Sequence, residues 1–401
     1  VKQIKPNWLT KSSLFSFKNE YRALHVILFL IAILSWFFYK AEINNIVEAS
    51  KQFFGLYMYM ICFYMLIRVN EDDIKRLLII YLNIAFFIAL IALIQEIGFL
   101  TKIKSLYDFS FFLNKWNPAF SSNFNIIKAN SILPEPSAFC IAMIVSFFVS
   151  TNSLLTKNFE LLPNFRLLSI PIPKRLVSLV IVIAYIASFS LIGYIGIFLT
   201  LIILLFNYVK DHKKAAVKVS ALIALFLCLI FTFPELRIRI CDTHEVFFKK
   251  KHVEFTNKST ATFFVNYEIT KEVITKNVFG FLFGNGLGSY ELSYKRYIDK
   301  FKVKTTRLSL ENLNRKDANS LFLRLLAETG SFGLSAFLFL FMFKYWIIKN
   351  KGGMEYLWIM NNAIFIYFIM RLIRQGNYFT EGFLFFAWMY YFSKKTFMVR
   401  K

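Results

Sequence analysis

The sequence predicts an all-α, polytopic integral membrane protein of about ten transmembrane helices with one large loop, on three observations. Of its 401 residues, 57% are hydrophobic and 19% aromatic, with 50 phenylalanines against 8 prolines, more apolar surface than a soluble domain of this length buries. Several apolar runs approach or exceed the roughly 20 residues that cross a bilayer as a helix. The connecting segments alternate between rich and poor in Lys and Arg, the bias that orients membrane helices.

Taken in order, hydropathy places spans near 23–39, 52–67, 77–100, 137–155, 176–191, 193–209, 217–233, 328–347, 354–373 and 379–393. With the N-terminus cytoplasmic, segments 1–22, 68–76, 156–175, 210–218, 344–353 and 394–401 hold 23 Lys and Arg, against 7 in 40–51, 101–136 and 374–378. The reading is therefore N-in and C-in, in three units: helices within 1–233, a large loop at 234–318, and helices within 319–401. The net charge of +24 then lies mostly beside anionic lipid, which accounts for it without nucleic acid. The basic arm before the first span is followed by no small-residue cleavage site, so a cleavable signal peptide is not expected. Cys62, Cys140 and Cys228 lie inside apolar runs; with Cys241 left alone, no disulfide framework is expected.

The loop is too long to be a mere link. In "NYEITKEVITKNVFGFLFGNGLGSYELSYKRYI", apolar residues recur at helical spacing (Tyr267, Ile269, Val273, Ile274, Val278) until Gly284, Gly286 and Gly288. That pattern predicts a helix lying on the membrane surface, a tight turn and a second short helix.

Four places carry candidate chemistry. In "KANSILPEPSAF", Glu135 stands between Pro134 and Pro136, and Pro136 suits the first position of the following helix. Glu135 then sits at the positive end of that helix's dipole, as a plain capping acid, as a general base, or as a group that orients a sugar hydroxyl. In "DANSLFLRLLAETGSFG", Arg324 and Glu328 are four apart and can pair. An arginine in an apolar run is costly and points to function; a stapling salt bridge is the plainer account. Arg371, Arg374 and Gln375 are spaced three to four apart at the end of the ninth span, a plausible phosphate clamp. Snorkelling to the interface explains Arg374 easily and the deeper Arg371 less well. Lys295, Arg296, Arg307, Arg315 and Lys316 form a solvated basic face in the loop, placed where an anionic head group would emerge. His244 and His252 read as ordinary surface residues. With no Asp-x-Asp pair or His/Cys cluster on the outer side, no metal or cofactor is expected; without a glycine-rich phosphate loop, neither is ATP-driven transport.

Five short motifs in order resemble the O-antigen polymerase (Wzy) and O-antigen ligase superfamily of bacterial inner-membrane proteins, over most of the chain after about residue 75. They are "KANSILPEPSAF" (128–139), "SFSLIGYIGIFLTL" (188–201), "FLFGNGLGSY" (281–290), "NSLFLRLLAETGSFG" (319–333) and "RQGNYF" (374–379). Lys128 stands where Arg is common in that family, and Leu191 where an Arg often sits. Asn319 and Ser320 occupy the positions of the ligases' His-Asn. These departures favour the polymerase branch and leave the base open between Glu135 and Asp317.

The resemblance implies a GT-C-like, metal-independent glycosyltransferase of the inner membrane. It would move a growing glycan from undecaprenyl pyrophosphate onto the next lipid-linked repeat at the periplasmic face. A flippase and a chain-length regulator are the implied partners; a ligase acting on lipid A-core, or a lipid-linked oligosaccharide transporter, are the alternatives. On that reading Arg371 and Arg374 clamp the pyrophosphate, helped by Lys128, Arg307, Arg315 and Arg324, and Glu135 is the candidate base. Tyr290, Tyr294 and Tyr378, with Asp317 and Asn319, contact the glycan.

Overall fold

The computed structural model describes residues 43–69, 74–111, 113, 116, 118–121, 126–167, 170–211, 217, 220–221, 223–224, 234–248, 256–301, 313–348 and 354–399. The first predicted span, most of the seventh, and Arg307 lie outside the described residues.

The described chain is almost wholly helical. In order come α1 (Ile43–Val69), α2 (Ile74–Leu100), the short α3 (Lys104–Tyr107), α4 (Pro136–Thr156), α5 (Lys174–Ile186) and α6 (Leu191–Asp211). The loop contributes α7 (Pro234–Phe248), α8 (Lys258–Thr275), α9 (Val278–Phe283) and α10 (Tyr290–Tyr297), and the chain closes with α11 (Leu321–Ser335), α12 (Glu355–Ile373) and α13 (Phe383–Val399). Two minimal antiparallel ribbons, Phe120–Ser121 with Ile126–Ile127 and Phe165–Leu167 with Ile170–Ile172, are the strands.

Among the described residues, four helices are long and apolar enough to cross a membrane: α2, α4, α12, and α11 with its continuation to Phe343. This is an all-α membrane protein. Their exposure sorts them. In α4 and α12 the apolar window is 78% buried, against 39% in α2 and α11, so the first pair forms the centre and the second its flanks. On α2, Ile80, Ile84, Phe87, Ile94 and Ile97 are exposed at spacings of three, four and seven, the stripe that a helix turns to lipid.

Helices consecutive in the chain, such as α4 and α5, α11 and α12, and α12 and α13, run antiparallel, so their ends sort into two groups. Ser320 Oγ at the head of α11 donates to the Leu372 carbonyl at the tail of α12, 2.5 Å. Ala129 N, ahead of α4, donates to the Ala187 carbonyl just past α5, 3.1 Å. Gln95 near the tail of α2 holds Asn130, and the ring of Tyr59 on α1 meets Phe379 ahead of α13. The described parts of 101–135, with 187–190, 313–320 and 374–382, therefore gather at one end. At the other, Asn361 and Asn362 of α12 are buried and clasp the 345–348 segment, Asn361 Oδ1 accepting from Ile347 N at 2.7 Å and Asn362 Nδ2 donating to the Ile347 carbonyl at 3.0 Å.

The loop has its own core. Val265, Ile269 and Val273 of α8 pack with Tyr290, Tyr294 and Tyr297 of α10 and with Leu323 and Ala327 of α11. Of the apolar residues that predict a helix here, Ile269 and Val273 of α8 face this core, while Tyr267 is 37% exposed. Leu323 and Ala327 of α11 supply the other side of that core, so this face of the helix is covered by the loop. This is why the predicted eighth span begins at 328 while the helix begins at Leu321.

α11 bends at Gly330, whose φ of 64° leaves the helical region. The bend would orphan carbonyls of the preceding turn. The glycine-rich turn after α9 meets them: Asn285 N donates to the Ala327 carbonyl and Gly286 N to that of Glu328, each at 2.9 Å. Gly284, at φ 68°, lies so close that a Cβ there would come within 2.6 Å of the Ala327 carbonyl oxygen. The glycine turn is thus a backbone splice between loop and bundle.

Candidate functional site

The segment before α4 is set by Gln95. Its Oε1 accepts from Asn130 N at 3.1 Å and Ser131 N at 2.9 Å, and its Nε2 donates to Asn130 Oδ1 at 2.9 Å. Trp116 Nε1 donates to the Ser131 carbonyl, 2.8 Å. This fixes the approach to Glu135, which is extended (φ −152°, ψ 158°) with Pro136 at the first helical position, as the sequence predicts. The carboxylate does not cap its own helix. Instead it accepts from Ser137 Oγ and from Gln375 Nε2 at 3.1 Å, and lies 3.7 Å from Arg374 Nη2.

Arg374 arrives from the far end of the sequence. α12 stops at Ile373, and Arg374 is extended (φ −141°, ψ 150°). Gln375 is left-handed at φ 72°, and its N–H donates to the Asn319 carbonyl at 2.9 Å. Gly376 is pressed on the Asp317 carbonyl so tightly that any side chain would collide with it. Swung out of the helix, Arg374 donates from Nη1 to Ser259 Oγ at the head of α8, 2.9 Å. The Arg374 side chain is 20% exposed and that of Glu135 42%, so both remain open to a ligand.

Arg371 goes elsewhere, and the predicted clamp of two guanidiniums on one face is corrected. Arg371 is fully buried, pairs with Glu381 and donates to the Asn377 carbonyl; the helix ends between the two arginines, so they share no face. Burial raises the Glu381 carboxyl above its usual range, against the lowering effect of Arg371.

Arg324 and Glu328 form the predicted pair, Nε to Oε1 at 3.2 Å, with side chains 5% and 0% exposed. Arg324 Nη1 also donates to the Gly376 carbonyl, 3.0 Å, and its guanidinium lies 4.3 Å from the Tyr378 ring centre. Tyr378 Oη donates to Glu328 Oε2, 3.0 Å. Here the stapling account holds.

The predicted sugar-stacking rings are also corrected. Tyr290, Tyr294 and Tyr378 are 0%, 1% and 3% exposed, and Tyr290 Oη donates inward to Asn266 Oδ1 at 2.6 Å. Lys128 is buried, and Arg315 pairs with Glu291 at 3.2 Å, beside Lys295. Among the described residues no group of three or more His, Cys, Asp and Glu gathers as a metal centre would.

Asp317 lies within the electrostatic reach of Glu135, Arg324 and Arg374. Ala318 and Asn319 follow it in the left-handed region, at φ 58° and 59°, a costly conformation that surrounding contacts must hold. Asn319 N donates to Asp317 Oδ1 at 3.2 Å, while Asn319 Nδ2 is buried with no hydrogen-bond partner. Burial raises the Asp317 carboxyl above its ordinary value, opposed by that N–H and the two arginines and reinforced by Glu135. The folded state then holds this proton more tightly than the unfolded one, so stability falls as pH rises from the ordinary carboxylate range through the raised value. Asp317→Asn is expected to flatten that fall and to raise the melting temperature at neutral pH. Thermal unfolding of detergent-solubilised protein across pH checks it; an unchanged pH profile refutes it.

Sequence reasoning missed Ser259 and Glu381. Ser259 carried no signal, being 115 residues from its partner; Glu381, the lone acid in the turn after two arginines, could have been matched to them by charge. What fold and site define together is an all-α membrane protein with a carboxylate and a guanidinium joined at one end of its bundle. Comparison of the chain with family models, with curated proteins and with solved structures finds no match in any of the three.

Proposed function

We propose that the chain is a polysaccharide polymerase of the bacterial inner membrane: a ten-span, GT-C-like glycosyltransferase with both termini cytoplasmic. It transfers a growing glycan from undecaprenyl pyrophosphate to the next lipid-linked repeat on the periplasmic face. The observation that carries this reading is the half-open Glu135–Arg374 pair, held by Gln375, Ser137 and Ser259.

The acceptor hydroxyl gives its proton to Glu135 as its oxygen attacks the anomeric carbon of the donor sugar. The bond from that carbon to the phosphate oxygen breaks, and the pyrophosphate carries off the electron pair. Negative charge collects on the departing group, and Arg374, already fixed by Ser259, meets it without reorganising. Two substrates tethered to one bilayer supply proximity. Arg371, Arg324 and Tyr378 act behind this pair, bracing the 374–381 turn; Arg315 and Lys295 form a basic rim that attracts diphosphate. Glu135 takes the base role over Asp317 because its side chain is the more open of the two.

Purified protein in liposomes containing undecaprenyl-pyrophosphate-linked repeats is expected to convert them to a ladder of longer glycans and release carrier pyrophosphate. Folded protein that leaves the repeats single would overturn the reading, and movement of intact repeats across the bilayer would replace it with transport.

A further inference from the structure

The loop carries an apolar face that the glycan chemistry does not use. In α9, Val278 is 71% exposed, Phe279 48% and Phe281 49%. This face is held rigid. Asn277 Oδ1 accepts from Gly280 N at 2.6 Å, Gly284 N donates back to the Gly280 carbonyl at 3.0 Å, and the next two N–H groups are spent on the α11 carbonyls. A Cβ on Gly330 would collide with the backbone of Leu282, so α9 is seated directly at the bend of α11.

What lies beside it identifies the occupant. The ring of Phe283 is 6.1 Å from that of Phe332, two residues past the bend. Phe332 is 59% exposed, and down the same span follow Phe339 at 63%, Leu340 at 55% and Phe343 at 49%. The apolar surface of α9 therefore continues the lipid-facing surface of a membrane span. Lys276, one turn away, is exposed and suits head-group phosphate. We infer that α9 is an immersed foot of the loop: Val278, Phe279 and Phe281 sit in the bilayer leaflet at this end of the bundle, fixing the height of the loop at the membrane.

The inference is independent of the glycan reading and is tested without activity. In the full chain with Cys62, Cys140, Cys228 and Cys241 replaced by alanine, a nitroxide is placed at Val278→Cys or Phe281→Cys. The protein is reconstituted in phosphatidylethanolamine–phosphatidylglycerol vesicles. Collision with oxygen relative to a soluble nickel chelate is compared with Phe339→Cys in the span and Lys295→Cys on α10. The expected ratio at 278 and 281 exceeds that at 295 several-fold and approaches that at 339. A ratio equal to that at 295 places α9 in water. A label shielded from both reagents shows that protein, from this chain or a second copy, covers the face. Either result overturns the proposal, and two label positions guard against one variant failing to fold.

Discussion

Arg374→Ala is expected to leave only single repeats in a glycan ladder while the protein remains inserted and folded. Losing one fixed donor to developing charge costs about 10²–10³ in turnover, and Glu135→Gln, which removes a general base, about 10²–10⁴. The two side chains lie 3.7 Å apart, so the double variant should fall little below the worse single one. Arg374→Lys keeps the charge but not the fork that reaches both Ser259 and Glu135, and should recover only part of the rate. Stability should change little, because both groups lie at the open end of the bundle. Initial rates in proteoliposomes, with melting temperatures alongside, check each point. Long glycans made by well-folded Arg374→Ala would remove Arg374 from the chemistry.

Glu328→Ala should instead destabilise the fold, by about 3–5 kcal/mol, the usual loss when one partner of a buried ion pair is removed. Arg324 would be left charged and 4% exposed; Tyr378 Oη and Tyr290 N would lose an acceptor. The joint replacement Arg324→Met with Glu328→Leu should cost less than Glu328→Ala alone, since no uncompensated charge remains. Thermal unfolding in detergent distinguishes them. Equal melting temperatures for Glu328→Ala and the unmodified chain would show that the pair is not the brace described.

The spans were legible where lipid or the bundle core alone dictates composition. Runs 77–100, 137–155 and 354–373 correspond to helices Ile74–Leu100, Pro136–Thr156 and Glu355–Ile373 within a few residues. The eighth reads late because Leu323 and Ala327 pack against the loop, in a stretch where Arg324 is tolerated through its partners. The Arg324–Glu328 pair was legible because its spacing lies on one helix. Arg371 and Arg374 were joined wrongly because three-residue spacing means a shared face only while the helix continues, and it ends at Ile373. Tyr290 and Tyr294 look like surface aromatics among charged neighbours; only the packing of α8 and α11 around them makes them core.

The splice at Gly284–Gly286 also limits how the loop can move. A lid that swung on this turn would strip the Ala327 and Glu328 carbonyls of their donors, at about 1–3 kcal/mol for each buried acceptor left bare. The roof over α11 is therefore a fixed one. Any ligand that reaches the exposed carboxylate of Glu135 must do so without help from a hinge at this turn.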